Sequence, residues 1–467
     1  MFKSVILKNS FWAISSSIFQ NIVFAIFFII MARVYKTEDF SSYIIANTLY
    51  GLLLSFSSLG MAQWYIRAVK NMNEHLSINR LYFNIQLLAG VLFLFLNVLA
   101  SFLLYTTSVI HVLSFILGIN IVIDNLINVF KTINIATFNQ RQTFSILTIE
   151  ACIKLALAIL VYYLVPNIVV IAALLVLLRL ITFSLFYFSG DYKKTLKGIV
   201  VISPETYRQV IKTIYENRFF LFIGSISVLF WSLGSILVSK FLNTQAVADY
   251  EIAYKLFIMA EIIPLMILSS AFPKIVEHIN NPTLKSMRFL KALSYGNLLY
   301  GLLAYTFVIS FSHLFVPFFF GVQYASTAQY CDEMFLTMLL FPSVLYQANQ
   351  LIAIKMEKID MYLNLMSLFI NLFIAVMGLK LHYSLSSITY SIFISFLIFH
   401  LSQEYFLIKK GLSKLSDVAI MYLLVFGGMY AYILLMKYVD VVYLFPLIWT
   451  SVFILIIPSY KRYFVKA

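Results

Sequence analysis

An all-α, polytopic membrane protein is the fold class this sequence predicts, and three observations predict it. Hydrophobic residues make up 62% of the 467 and charged residues only 11%. The apolar residues gather into about 14 runs, each long enough to cross a bilayer. The remaining charges fall mostly in the short gaps between runs. Hydrocarbon offers backbone amides no water, so each run must satisfy its own hydrogen bonds as a helix of about 20 residues.

The N-terminus carries Lys3 and Lys8 ahead of a long apolar run, with no small-residue cleavage site near that run's end. It reads as a retained first helix and not as a removed signal peptide. The spans are expected at roughly 10–34, 39–63, 80–105, 109–130, 142–164 and 167–189. After a polar stretch they resume at roughly 217–242, 246–272, 289–312, 331–354, 361–380, 384–408, 416–436 and 440–459. Three are compositionally weak: the second is rich in Ser and Gly, the tenth carries Pro342, Gln347, Asn349 and Gln350, and the last is short.

The loops set the orientation. With the N-terminus in the cytoplasm, about 25 Lys and Arg fall inside against about 5 outside, and this bias holds from end to end. One missed span would invert every later loop, so the pattern predicts an even number of spans and both termini cytoplasmic. The same distribution accounts for the net charge of +14 without nucleic acid, because the basic residues mark loops and form no phosphate-binding face.

The longest polar segment, Gly190 to Arg218, holds Asp191, Lys193, Lys194, Lys197, Arg208 and Lys212. It reads as a cytoplasmic linker, amphipathic on the headgroups. The chain accordingly divides into roughly residues 1–190 as a first six-helix lobe, 191–216 as linker, 217–408 as a second lobe and 409–467 as an extra helix pair. An internal repeat supports this division. Sliding the chain by 207 residues lays Thr37 on Thr244, Tyr43 on Tyr250, Ile45 on Ile252 and Ala46 on Ala253. Six spans separate the copies, so the lobes are expected to be parallel, related by an axis along the membrane normal.

No catalytic constellation is present in the sequence. The six histidines are scattered without metal-ligand spacing, Cys152 and Cys331 form no CxxC, and there is no phosphate-binding glycine loop. An enzyme is not expected, nor any cofactor. What remains is charge inside the membrane, which is costly there and normally faces a cavity or a partner. Asp124, Lys154, Arg179 and Lys255 are the candidate substrate-facing residues, with Glu150 and Glu261 the other acids at that depth. The competing reading is internal pairing, because Glu150–Lys154 and Glu251–Lys255 are both spaced (i, i+4). Three acids against three bases leave the charge of any cavity undecided.

These features resemble the polysaccharide flippases, the O-antigen and capsule translocases of the multidrug/oligosaccharidyl-lipid/polysaccharide (MOP) superfamily. The resemblance rests on two parallel lobes plus a final pair and on a shared outer turn, Thr37–Tyr43 and Thr244–Tyr250. The stretch Phe320, Gly321, Tyr324 and Ala328 is similar, at looser spacing before the alanine, to the family's FG-x-x-Y-x-x-A, and the segment around Tyr346–Asp360 to its tenth-helix end. It implies a fold like that of multidrug exporters and an undecaprenyl-diphosphate-linked oligosaccharide repeat unit as substrate. That unit would be moved from the cytoplasmic to the periplasmic leaflet of the bacterial inner membrane by alternating access of the lobes around a polar cavity. Partners implied are the lipid bilayer, the polysaccharide polymerase and the chain-length regulator, with an H+ or Na+ gradient as the energy source. The alternatives are a cation-coupled multidrug or small-solute exporter, or a peptidoglycan-precursor flippase, of the same superfamily.

Overall fold

The computed structural model describes residues 2–71, 75–189, 204–280 and 283–464, and every regular element among them is helical. The first half runs α1 (Phe2–Val34), α2 (Thr37–Ser57), α3 (Met61–Asn71), α4 (His75–Leu104), α5 (Ser108–Ala136), α6 (Gln140–Leu164) and α7 (Ile168–Ser189). Next come α8 (Pro204–Glu216), α9 (Arg218–Phe241), α10 (Thr244–Asn280), α11 (Leu284–Phe320), α12 (Thr327–Phe335) and α13 (Phe341–Ala353). The chain closes with α14 (Glu357–His382), α15 (Ser386–Lys409), α16 (Leu415–Leu435) and α17 (Val441–Phe464). Each expected span falls on helix. Among the described residues 10 helices are long and apolar enough to cross a membrane, and three shorter apolar helices accompany them. The first part of the expected linker, through residue 203, lies outside the described residues.

Two expected spans are interrupted, each for a local reason. The second ends early because Leu59 and Gly60 both take positive φ (51° and 61°), which no α-helix accommodates. The carbonyl of Ser58 at this break accepts from the Met61 N–H at 3.1 Å and from Gln86 Nε2 at 3.0 Å, and the Ser57 hydroxyl donates to Asn125 Oδ1 at 3.0 Å. Beyond the break, α3 is a short helix of mixed polarity. The tenth span breaks at a 3-10 turn, Leu336–Leu339, just before Pro342 in the first turn of α13. Proline has no N–H to give the carbonyl four residues back, so the α-helical ladder cannot run through.

Both copies of the repeated turn start a helix on threonine, α2 at Thr37 and α10 at Thr244, and Tyr43 and Tyr250 are buried in both. Aromatics such as Phe95, Phe102, Phe369 and Phe373 are instead exposed on helix surfaces, as lipid-facing side chains are.

Two compact units result, Met1–Ala248 and Asp249–Ala467. The first is built around α5, which packs on α2, α4 and α7, while α6 packs along α1. Its core includes Tyr65, Tyr82, Ile127, Phe130 and Phe186, and Val210 of α8 reaches into it. Helix α8 is amphipathic: Val210 is buried, while Tyr207, Arg208, Ile211, Lys212 and Tyr215 are exposed. In the second unit α14 pairs with α15, and α11 carries the final helix pair. Ser310 and the Tyr432 hydroxyl of α16 lie 2.6 Å apart, and Trp449 of α17 donates to Thr306 at 2.9 Å. Such side-chain bonds hold helices together where lipid supplies no hydrophobic drive.

Candidate functional site

The candidate site lies in the first unit, where α2, α5, α6 and α7 each contribute one polar side chain. Asp124 of α5 and Glu150 of α6 are buried, and both face Arg179 of α7. The guanidinium Nε is 3.3 Å from Asp124 Oδ1, and Nη1 donates to Glu150 Oε1 at 2.7 Å. The Tyr50 hydroxyl of α2 donates to the other Asp124 oxygen, Oδ2. The four helices are apolar along most of their length, so these groups have no cheaper arrangement than to meet one another.

The charges balance. Asp124 and Glu150 outnumber Arg179, but Lys131, seven residues along α5 from Asp124, lies within electrostatic range of all three. With every group ionised the set sums to zero. Two openings are left in it. Glu150 Oε2 is buried without a hydrogen-bond partner, and Nη2 of Arg179 donates to nothing among the described residues. The Arg179 side chain retains 23% of its exposure. A planar guanidinium fixed by two carboxylates and still open along one edge can receive a phosphate oxygen without moving.

Of the four residues singled out from the sequence, the structure brings Arg179 and Asp124 into direct contact. Lys154 sits one turn along α6 from Glu150 and is buried; its Nζ lies 3.1 Å from the centre of the Phe24 ring and 5.2 Å from that of Phe27, both on α1. Lys255 belongs to the second unit, where it pairs with Glu251 at 3.8 Å, one of the two (i, i+4) pairs the spacing suggested. Glu150 spends its bonded oxygen on Arg179 of another helix. Tyr50 and Lys131 are the members that sequence reasoning did not place here. Tyr50 is one of 31 tyrosines, and nothing in its local sequence marks it. Lys131 reads as a loop residue because it ends an apolar run, yet α5 continues past it to Ala136.

Among the described residues no three His, Cys, Asp or Glu side chains are grouped so as to hold a metal ion. The arrangement offers ion pairing and hydrogen bonding.

The chain matches the family described as polysaccharide biosynthesis protein over residues 6–278. No curated protein sequence matches it. Among solved structures it is similar to the lipid II flippase MurJ in its inward closed conformation, at 14% identity and a TM-score of 0.73, covering 97% of this chain and 99% of that one. It is also similar to an inward-facing multidrug resistance MATE family transporter of the MOP superfamily, at 14% identity and a TM-score of 0.64, covering 83% and 93%. A third likeness is to a MOP superfamily transporter from Pyrococcus furiosus, at 14% identity and a TM-score of 0.54, covering 86% and 94%. At these identities the likeness establishes the fold, that of MOP transporters.

Proposed function

The chain belongs to the polysaccharide biosynthesis protein family, and from that premise we propose that it flips an undecaprenyl-diphosphate-linked oligosaccharide repeat unit from the cytoplasmic to the periplasmic leaflet, for O-antigen or capsule assembly. The observation that carries this reading is the open edge of Arg179, a fixed cation inside the membrane of a chain from this family. A sugar diphosphate cannot cross hydrocarbon, whereas the polyprenyl tail can stay in it. Moving such a lipid therefore requires a polar path for the head and an anion-receiving group along that path, with no chemistry performed on the substrate.

In this reading Asp124 and Glu150 hold the guanidinium in place and Tyr50 holds Asp124, so that Arg179 meets the diphosphate pre-oriented. Lys154 would add positive charge along the route, whereas Lys255, paired with Glu251 at 3.8 Å, is already neutralised. The protein sits in the bacterial inner membrane with both termini cytoplasmic, alternates its access between the two sides, and draws on an H+ or Na+ gradient. The polysaccharide polymerase and chain-length regulator act on what it delivers.

The test is genetic. Cells lacking their own O-antigen flippase but making this chain's cognate repeat unit should regain long surface polysaccharide when the chain is expressed. Without it they should accumulate lipid-linked units on the cytoplasmic leaflet. If deletion leaves surface glycan unchanged and raises sensitivity to cationic drugs, the chain is an exporter. A second reading comes from the likeness to a lipid II flippase, which extends over 97% of this chain. There the cargo would be a peptidoglycan precursor, and the chain would rescue cells depleted of their own precursor flippase.

A further inference from the structure

The second unit buries four acids, and each has its partner. Asp249 accepts from the Thr327 hydroxyl at 2.6 Å, Glu251 pairs with Lys255, and Glu333 accepts from Ser386 and Thr389 at 2.8 and 2.6 Å. Glu404 belongs to a network across α13, α15 and α16. The Gln347 amide nitrogen lies 2.6 Å from Glu404 Oε1 and 2.9 Å from His400 Nε2, and His400 Nδ1 lies 2.9 Å from the Tyr422 hydroxyl. The half-buried Asp332 and Asp360 accept from Ser312 and Gln403 at 2.8 and 2.7 Å. Glu261 is half-buried too, yet it makes no hydrogen bond or ion pair with any described residue.

Its place makes that isolation costly. Glu261 stands near the middle of α10, Thr244–Asn280, and so near the middle of the bilayer. It lies at the margin of the helix's inward stripe: Phe257 and Pro264, one turn to either side, are buried, as are Leu268 and Ile275 further along. Ile263 and Ile267, on the opposite side, are exposed. The groups that face Glu261 bring it no cation. On α10 the Tyr254 phenol is within electrostatic range, whereas Lys255 is held by Glu251. Helix α11 brings Tyr300, whose hydroxyl is given to the Ala260 carbonyl, and α12 and α13 bring the rings of Phe335 and Phe341 against Phe257. A carboxylate in such surroundings, with no counter-charge, is neutralised by a proton. A metal cation in the proton's place would need several oxygen ligands, and no group of three ligating side chains occurs among the described residues.

We propose that Glu261 is the proton-binding site through which the chain draws on a proton gradient. Its carboxyl is neutral while the middle of α10 is closed to water and ionises when that segment opens to the cytoplasm. Each cycle takes one proton from the periplasmic side and releases it on the cytoplasmic side, leaving the chain as it began. The coupling rests on the flippase reading proposed above; the proton on Glu261 does not.

The test is infrared spectroscopy of the full chain in nanodiscs of ether-linked lipid, which has no ester carbonyl to hide a carboxylic-acid band. At about pH 6, where an ordinary glutamate is ionised, wild type minus Glu261→Gln should show one carboxylic-acid band that fades as the pH rises. Glu261→Asp should retain such a band. In cells whose surface polysaccharide depends on the chain, nigericin, which collapses the pH gradient, should abolish long polysaccharide. Glu261→Gln should do the same without nigericin and at normal protein level. The proposal is overturned if the difference spectrum carries no such band, if sodium but not potassium removes it at fixed pH, or if Glu261→Gln transports like the wild type. Wild-type chain that restores surface polysaccharide without a proton on Glu261 sinks this proposal alone. A band that titrates on Glu261 in a chain that restores no polysaccharide sinks the flippase reading alone.

Discussion

The hydroxyl of Tyr300 on α11 donates to the carbonyl of Ala260 on α10 at 2.5 Å, and Ala260 stands four residues before Pro264. Proline cannot make the backbone bond that carbonyl would otherwise receive, so a side chain from the neighbouring helix makes it. Tyr300→Phe should lower stability by about 1–3 kcal/mol, the cost of an orphaned buried acceptor. In a Pro264→Ala background, where the helix can supply the missing N–H, the same substitution should cost close to nothing. Thermal unfolding of the four proteins in detergent closes this cycle, and equal losses in both backgrounds would refute the explanation.

The orientation can be read with single cysteines. In a chain lacking Cys152 and Cys331, a cysteine at Gln209 on α8 and one at Ser326, just before α12, both occupy exposed positions. An impermeant thiol reagent added outside intact cells should label the second and spare the first. Labelling of both would break the even-numbered topology.

Arg179 is the residue on which transport should depend. Arg179→Ala leaves Asp124 and Glu150 without the guanidinium between them, a loss that costs about 3–5 kcal/mol in a buried ion pair. Combining it with Asp124→Asn and Glu150→Gln removes that penalty and should restore protein level. If the guanidinium meets the diphosphate, surface polysaccharide stays absent in the triple variant. Recovery of polysaccharide together with protein would make the cluster a structural tie only.

Gly301 on α11 is placed where a side chain does not fit. A methyl group there would come within 2.6 Å of the Met338 carbonyl oxygen in the 3-10 turn, a backbone atom that cannot swing away. Gly301→Ala should reduce the yield of folded protein measured by size-exclusion chromatography, while Gly427→Ala on α16, which meets nothing within 4 Å, should not.

The helices were legible because a bilayer imposes one length and one polarity on each span, and roughly 20 apolar residues in a row state both. Composition could not locate the breaks. Leu59 is an ordinary apolar residue, and its positive φ results from how α2 ends against Gln86 and Asn125, which are distant in sequence. The site was legible as individual charges at membrane depth and not as a set. Local spacing offers Glu150 the lysine four residues along, whereas the structure gives its oxygen an arginine 29 residues away. The Gln347 network is a stronger case. The tenth span's polar residues are conspicuous in the sequence, but that they converge on His400 and Glu404 depends on how α13 packs against α15.

The order in which the Arg179 cluster is synthesised has its own consequence. Asp124, Glu150 and Arg179 sit on three successive helices, so both acids, with only Lys131 of the bases, leave the ribosome before the arginine that contacts them. Each carboxylate at the middle of a lone helix costs about 2.5–3.5 kcal/mol to release into lipid. Between Asp124 and Arg179 lie 179 − 124 = 55 residues, about 3–11 seconds of translation. Through that interval α5 and α6 are cheaper to keep beside the translocon, where water still reaches them, than to release. The first half of this protein is therefore delivered to the bilayer as a group of helices, its partition completed when α7 brings the arginine.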